Sequence, residues 1–110
     1  MVQYTPQLDV TFGAIADATR RGILSRLGRG AASITDLADR FDMTLTGMKK
    51  HVRVLEDAGL VRTTKVGRVR TCTLGPRRLD DERTWIDKYR QMQEERFDRL
   101  ETFLERTKGQ

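Results

Sequence analysis

The residues best suited to chemistry lie in one stretch, TLTGMKKHVRVLEDAG, which covers residues 44–59. It contains His51, the only histidine of the chain, directly after Lys49 and Lys50. An imidazole can act as a general base, a metal ligand or a hydrogen-bond donor, and the lysines can pair with anions. The first two roles need further groups elsewhere in the chain.

Those further groups are missing from the sequence. Cys72 is the only cysteine, so neither an intramolecular disulfide nor a multi-cysteine zinc site can form within one chain. There is no second histidine, no phosphate loop of the form GxxxxGKS and no nucleophile elbow. The acidic run at residues 80–82 favours a helix start and needs no chemical role. We therefore predict a protein that is not an enzyme and has no metal site and no cofactor, in which Cys72 is a half-buried strand cysteine that packs; the alternative for Cys72 is a redox switch.

Length and composition indicate one domain over residues 1–110. The chain is 37% hydrophobic and 34% charged, and only 6% of its residues are aromatic, which argues against a large cofactor pocket. Neither an export signal at the N-terminus nor a run of about 18 apolar residues is present. These features predict a cytoplasmic protein without a membrane partner.

The net charge of +5 is concentrated in the middle of the chain. Residues 1–43 hold five basic and five acidic residues, residues 44–78 hold nine and two, and residues 79–110 hold seven and nine. A basic block between neutral or acidic flanks indicates a local contact with a polyanion, although charge runs are also common on solvated faces.

Apolar spacing predicts four short helices before residue 59. Leu8, Phe12 and Ile15 form the stripe of the first helix. Arg20 and Arg21, near the start of the second, are candidates for a phosphate contact or an internal salt bridge. The second, third and fourth helices each follow a residue able to cap them, namely Asp17, Ser33 and Thr44.

The third and fourth helices are separated only by the turn DMT, which predicts a helix-turn-helix over about residues 33–58. Met48, Val52 and Leu55 form the inward stripe of the fourth helix, which ends where Gly59 allows a left-handed cap. We expect its other side to contact DNA, with Thr46, Lys49 and Lys50 in the groove and Arg53 on a phosphate, while each lysine is alternatively a solvated side chain. Thr44 is expected at the cap and an adjacent phosphate, and Gly47 permits close approach. His51 is expected to pack at the edge of the inward stripe or to donate to a phosphate or carbonyl.

A basic β-hairpin is predicted directly after the helix-turn-helix, over about residues 61–74. The segment VRTTKVGRVRTCTL is rich in β-branched residues, and Gly67 lies where a hairpin turn needs positive φ. Lys65, Arg68 and Arg70 are placed to reach phosphates or a minor groove. The predicted fold is mainly α with a small β-hairpin, a winged helix-turn-helix.

A long C-terminal helix is predicted over about residues 83–107. Its apolar stripe is larger than a small winged helix could easily cover, which indicates pairing with a second copy of the chain, whereas the alternative is a helix folded over its own core. The stripe consists of Trp85, Tyr89, Met92, Leu100 and Phe103, with Phe97 and Leu104 beside them.

The segments FGAIADATRRGILSRL and ITDLADRFDMTLTGMKKHVRVLEDAGLV, followed by the basic wing and the long helix, resemble the ArsR family of bacterial winged-helix transcriptional regulators. The resemblance covers about residues 8–105. It implies a homodimer in which the first and last helices pair, with Leu8 and Phe12 added to the dimer contacts. It also implies a palindromic operator and repression released by an inducer, which the sequence does not identify.

Many members of this family sense metals, through a cysteine pair on the helix before the recognition helix or through His and Asp residues shared between the C-terminal helices. The matching stretch SITDLADRF and residues 83–110 contain neither Cys nor His. The resemblance is therefore to a member without the metal ligands. We predict a homodimeric repressor that binds double-stranded DNA; the alternative is a winged-helix module that binds proteins without reading a DNA sequence.

Overall fold

The computed structural model describes residues 6–108, which form five helices and three short strands. They divide into two compact units between Arg78 and Leu79. The predicted fold class, a mainly helical winged helix-turn-helix with a long C-terminal helix, is confirmed. In chain order the elements are α1 (Pro6–Ile15), α2 (Ala18–Leu27), β1 (Ala32–Ser33), α3 (Ile34–Arg40), α4 (Leu45–Asp57), β2 (Val61–Val66), β3 (Val69–Leu74) and α5 (Asp80–Lys108).

The strands form an antiparallel sheet in the order β1-β3-β2. The wing predicted over residues 61–74 is the β2–β3 hairpin, and its turn has positive φ at Gly67 (62°) but not at Arg68. This is the dihedral pattern of a type II′ turn, in which glycine occupies the first central position. The strand β1, which pairs Ala32 with Cys72, was not predicted because two residues are too short to show an alternating pattern.

The turn between α3 and α4 is fixed by backbone hydrogen bonds. The Met43 N–H donates to the Ala38 carbonyl at 2.9 Å and the Asp42 N–H donates to the Asp39 carbonyl at 3.2 Å. These bonds end α3 in a Schellman motif, with Asp42 in the left-handed region at φ 52°. The Thr44 hydroxyl then accepts the Gly47 N–H at 3.0 Å, so the predicted N-cap of α4 is confirmed.

The predicted inward stripe of α4 forms the centre of the first unit. Met48, Val52 and Leu55 are each at most 1% exposed. The helix ends as predicted, because Gly59 adopts φ 75° and the Leu60 N–H donates to the Leu55 carbonyl at 2.9 Å. The rotation of α4 about its axis is therefore fixed by burial along its length and by hydrogen bonds at both ends.

The predicted inner face of α1 is correct only in part. Leu8 is buried, whereas Phe12 and Ile15 are half-buried and Thr11 is fully buried. Threonine is tolerated there because its hydroxyl accepts a 2.7 Å hydrogen bond from Nη1 of Arg77. That partner lies far away in the sequence, so apolar spacing alone could not reveal it.

The second unit contains α5, which begins three residues before the predicted start at residue 83. Its first turn contains Asp80, Asp81 and Glu82, whose carboxylates are favourable at a helix N-terminus. Every side chain from residue 83 to residue 107 is exposed. Within residues 6–108, no helix is both long and apolar enough to cross a membrane.

Cys72 lies at the centre of the sheet, on β3, with Ala32 and Thr63 as its neighbours on the two adjacent strands. Its side chain is fully buried. Burial raises the pKa of the Cys72 thiol to about 11, and the nearby Glu56 carboxylate acts in the same direction. The expectation that this cysteine packs is thus confirmed, although its side chain is fully buried rather than half-buried.

We expect native Cys72 to resist alkylation. At pH 8 the raised pKa makes the reactive thiolate fraction about a hundredfold smaller than in the unfolded chain, and burial further blocks access. Mass spectrometry after timed iodoacetamide treatment would measure the rate, with the same protein in urea as the control. Equal rates in the native and unfolded protein would contradict the buried position.

Candidate nucleic-acid interface

The outer side of α4 presents a ridge of four exposed residues, Thr46, Lys50, Arg53 and Asp57. Their spacing of four, three and four residues places them on one side of the helix, opposite the buried stripe. Threonine and lysine can hydrogen-bond the edges of bases, and arginine can bind guanine or a phosphate. Three members of this ridge belong to the predicted DNA-binding set, whereas Asp57 makes the last position of the ridge acidic.

A cleft of about 380 Å³ lies between one flank of α4 and the wing. It brings together four residues of the predicted set, Lys49 from α4 with Lys65, Arg68 and Arg70 from the wing. No carboxylate lines this cleft, and all four cations are exposed. Its positive potential therefore favours an anionic ligand. The remaining lining residues, which sequence reasoning missed, are Ser33, Ile34, Thr35, Leu45 and Val69.

A neighbouring depression toward the end of α4 has mixed charge. Lys49, Arg53 and Arg70 line it together with Glu56 and Asp57. Glu56 accepts a 2.9 Å hydrogen bond from the Thr63 hydroxyl, which connects α4 to β2. The uncompensated positive charge is thus concentrated beside the first half of α4.

Gly47 and Thr44 have structural roles at the start of α4. A Cβ added at Gly47 would lie 3.1 Å from Oγ1 of Thr44 and 3.3 Å from Cε of Met43, closer than most such contacts. Thr44 is an exposed residue, and its hydroxyl, while it accepts the capping bond, still has a proton to donate. Their contacts with DNA stay predictions.

The flank of α4 facing away from the wing contains a contact that the sequence did not reveal. Nη1 of Arg20, on α2, lies 3.1 Å from Nδ1 of His51. The same guanidinium donates through Nε to the Ala14 carbonyl at 2.7 Å and through Nη2 to the Gly13 carbonyl at 3.1 Å. Arg21 donates to the Ile15 carbonyl at 2.9 Å. Both arginines were expected to contact a phosphate or to form an internal salt bridge. Their guanidinium groups instead donate to backbone carbonyls at the end of α1.

The residues predicted to form dimer contacts fall into two groups. Leu8 is buried and Phe12 half-buried on α1, whereas the five on α5 are all exposed. On α5 the rings of Trp85 and Tyr89 stack, with centroids 6.0 Å apart. A shallow depression of about 430 Å³ continues along the same helix. It is lined by Tyr89, Met92, Gln93, Arg96, Phe97 and Leu100.

Between residues 6 and 108, no cluster of three or more His, Cys, Asp or Glu side chains is arranged to hold a metal ion.

The sequence and the fold of this chain are similar to those of known transcriptional regulators. Residues 15–64 match the family model of a helix-turn-helix domain. Over 81 residues the chain is 33% identical to the HTH-type transcriptional regulator Rv2034 of Mycobacterium tuberculosis, with 74% of this chain and 76% of that protein covered. It is 29% identical over 75 residues to the transcriptional repressor SdpR of Bacillus subtilis, covering 68% and 83%. The fold is similar to the crystal structure of the ArsR family transcriptional regulator RHA00566, with a TM-score of 0.76, 44% identity and coverage of 86% and 97%.

Proposed function

Because the chain belongs to the ArsR family of transcriptional regulators, we propose that it is a homodimeric repressor that binds a palindromic operator and does not respond to metal ions. The observation that carries this proposal is the placement of the cations around α4. The exposed ridge faces outward, and the cleft beside it collects four further positive side chains without an acid.

In the proposed complex, α4 enters the major groove and its ridge faces the bases. Thr46 and Lys50 contact base edges, and Arg53 contacts a phosphate. Lys49, expected from the sequence to enter the groove, faces the wing cleft in the structure. We therefore assign it to the phosphate backbone together with Lys65, Arg68 and Arg70. Thr44 and Gly47, at the start of α4, lie close to the same backbone.

The homodimer is proposed from the exposed apolar side of α5. The exposed apolar side chains of α5 run from Trp85 to Leu104, over about 30 Å of helix, and a monomer rarely exposes an apolar surface that extends so far. A second copy of α5 would cover it in a symmetric contact. Such a dimer presents two copies of α4, and a separation of about 34 Å would match successive turns of the DNA groove. The contacts expected of Leu8 and Phe12 stay part of this proposal.

Repression, rather than activation, is supported by the similarity to SdpR, a transcriptional repressor. We expect a bound dimer to block access to its operator in the cytoplasm, without catalysis and without a cofactor. An inducer is implied by family membership alone, since no lining of a described cavity identifies a small molecule.

Replacement of Lys50 by alanine is expected to weaken binding to the selected operator by roughly 10- to 100-fold, because a base contact is lost. Replacement of Arg68 should weaken binding to all DNA sequences and reduce the slope of log K against log salt by about one. Lys88→Ala, on α5, is the matched charge control. Titrations at several salt concentrations, with DNA selected from a random pool, provide the measurement. Wild-type protein without salt-dependent DNA binding would favour the protein-interaction module instead.

Two glutamates in the apolar side of α5, Leu100→Glu with Phe103→Glu, are expected to produce monomers, since the interface would have to bury their charges. Sedimentation velocity reports the mass. The control Gln91→Glu with Thr102→Glu adds the same charge on the opposite side of α5 and should leave the dimer intact. A dimeric double variant at Leu100 and Phe103 would refute this interface.

Zinc, cadmium or arsenite at stoichiometric amounts should leave the affinity for the operator unchanged within about twofold, because thiol and imidazole ligand sets are missing from the sequence. The comparison requires protein first treated with a chelator. Release of the DNA by any of these ions would show that the chain senses metals.

A further inference from the structure

The contact between Arg20 and His51 determines where the histidine proton lies. A guanidinium has donors but no acceptor, so at 3.1 Å Nδ1 of His51 must supply the lone pair. A ring that accepts through Nδ1 is neutral and has its proton on Nε2. Arg20 is itself held in place by the carbonyls of Ala14 and Gly13, at 2.7 and 3.1 Å. The orientation of the imidazole is thus fixed from outside α4.

The outer nitrogen of His51 is free to bind a ligand. Nε2 makes no hydrogen bond within residues 6–108, and no buried side-chain nitrogen or oxygen in that range lacks a partner. An unpaired Nε2 must therefore reach the solvent, even though the residue as a whole is half-buried. The structure presents a neutral N–H donor at the surface of α4, with the positive charge of Arg20 behind it to polarise the ring.

His51 lies on the flank of α4 opposite the wing cleft. His51 follows Lys49 by two residues, which is about 200° around the helix, so the two side chains lie on opposite flanks of α4. A helix in the major groove, about 12 Å wide, has a sugar–phosphate backbone along each flank. The wing-side cations face one backbone. The other flank presents the His51 donor, with Lys50 as its neighbour on the ridge.

We propose that His51 donates from Nε2 to a DNA phosphate oxygen on the flank away from the wing, and that Arg20 is the positioning residue that fixes this tautomer. The proposal rests on the proposed DNA-binding function. It gives Arg20, on α2, a role in DNA binding without contact with the DNA. Asp17 lies on the same flank, where its carboxylate accepts the backbone N–H of Arg20 at 3.0 Å as the cap of α2.

The test compares two substitutions that each retain one half of the imidazole. In His51→Asn the amide lies near the position of Nδ1, so it can still accept from Arg20 but has no outward donor. In His51→Gln the amide nitrogen reaches the position of Nε2. We expect His51→Asn to bind the selected operator about tenfold more weakly and His51→Gln to stay within about threefold of the wild type.

The dependence on salt separates this contact from a cationic one. A neutral donor releases no counterion, so the slope of log K against log salt should be the same for wild type and His51→Asn. Arg68→Ala is the internal control, because the loss of that proposed cation–phosphate contact should reduce the slope by about one. A slope reduced by about one in His51→Asn would show a charged histidine and overturn the proposal. So would unchanged affinity in that variant.

Nitrogen-15 spectra of the wild-type imidazole test the tautomer without any substitution. We expect an unprotonated Nδ1 in the free protein and an Nε2–H resonance that shifts when the operator is added. A proton on Nδ1, or an Nε2–H resonance insensitive to bound operator, would overturn the proposal even if His51→Asn failed to fold. Wild-type protein that binds no DNA would instead overturn the proposed function, whereas operator binding unaffected by His51→Asn would remove only this contact.

Discussion

The burial of one side of α4 is the constraint on which the rest of the first unit depends. Met48, Val52 and Leu55 are almost fully shielded from water, so the helix cannot rotate without exposing them. The rotation sets which side chains form the outer ridge and which face the wing. The hydrogen bonds at the two ends add to this constraint, since the Thr44 cap and the Gly59 motif define where the helix begins and ends.

Both flanks of α4 are supported by contacts with other elements. On one flank, Glu56 accepts a hydrogen bond from Thr63 and thereby connects the helix to the wing. On the other, His51 meets Arg20, which also binds the end of α1. A helix held on two sides can present its ridge to a ligand with little loss of conformational freedom, which is the physical meaning of preorganisation. The orientation of the ridge residues therefore depends on contacts made within the protein.

The sequence predicts most of the fold because the residues that begin its helices and form its hairpin turn act over only a few positions. Asp17, Ser33 and Thr44 each accept the backbone N–H of the residue three positions later. The positive φ of Gly67 depends only on the turn that contains it. A short segment of sequence is therefore enough to predict each of these features. The strand β1 and the burial of Thr11 could not be predicted in this way, because both depend on distant residues. The partner of β1 is β3, about 40 residues away, and the partner of Thr11 is Arg77, 66 residues away. The different surroundings of Lys49, in the wing cleft, and Lys50, on the ridge, also depend on residues distant in sequence. Both are outward lysines in the sequence, and only the position of the wing separates them.

The order of the strands has a consequence for the protein before it meets any ligand. In β1-β3-β2 the strand β2 is an edge, and β-branched residues on an unpaired edge invite strand pairing between molecules. Arg62 and Lys65 are exposed on β2 and repel a second edge of the same kind. The positive charge of the wing thus protects against edge-to-edge aggregation, and a variant that neutralised it would lose colloidal stability as well as any anionic ligand.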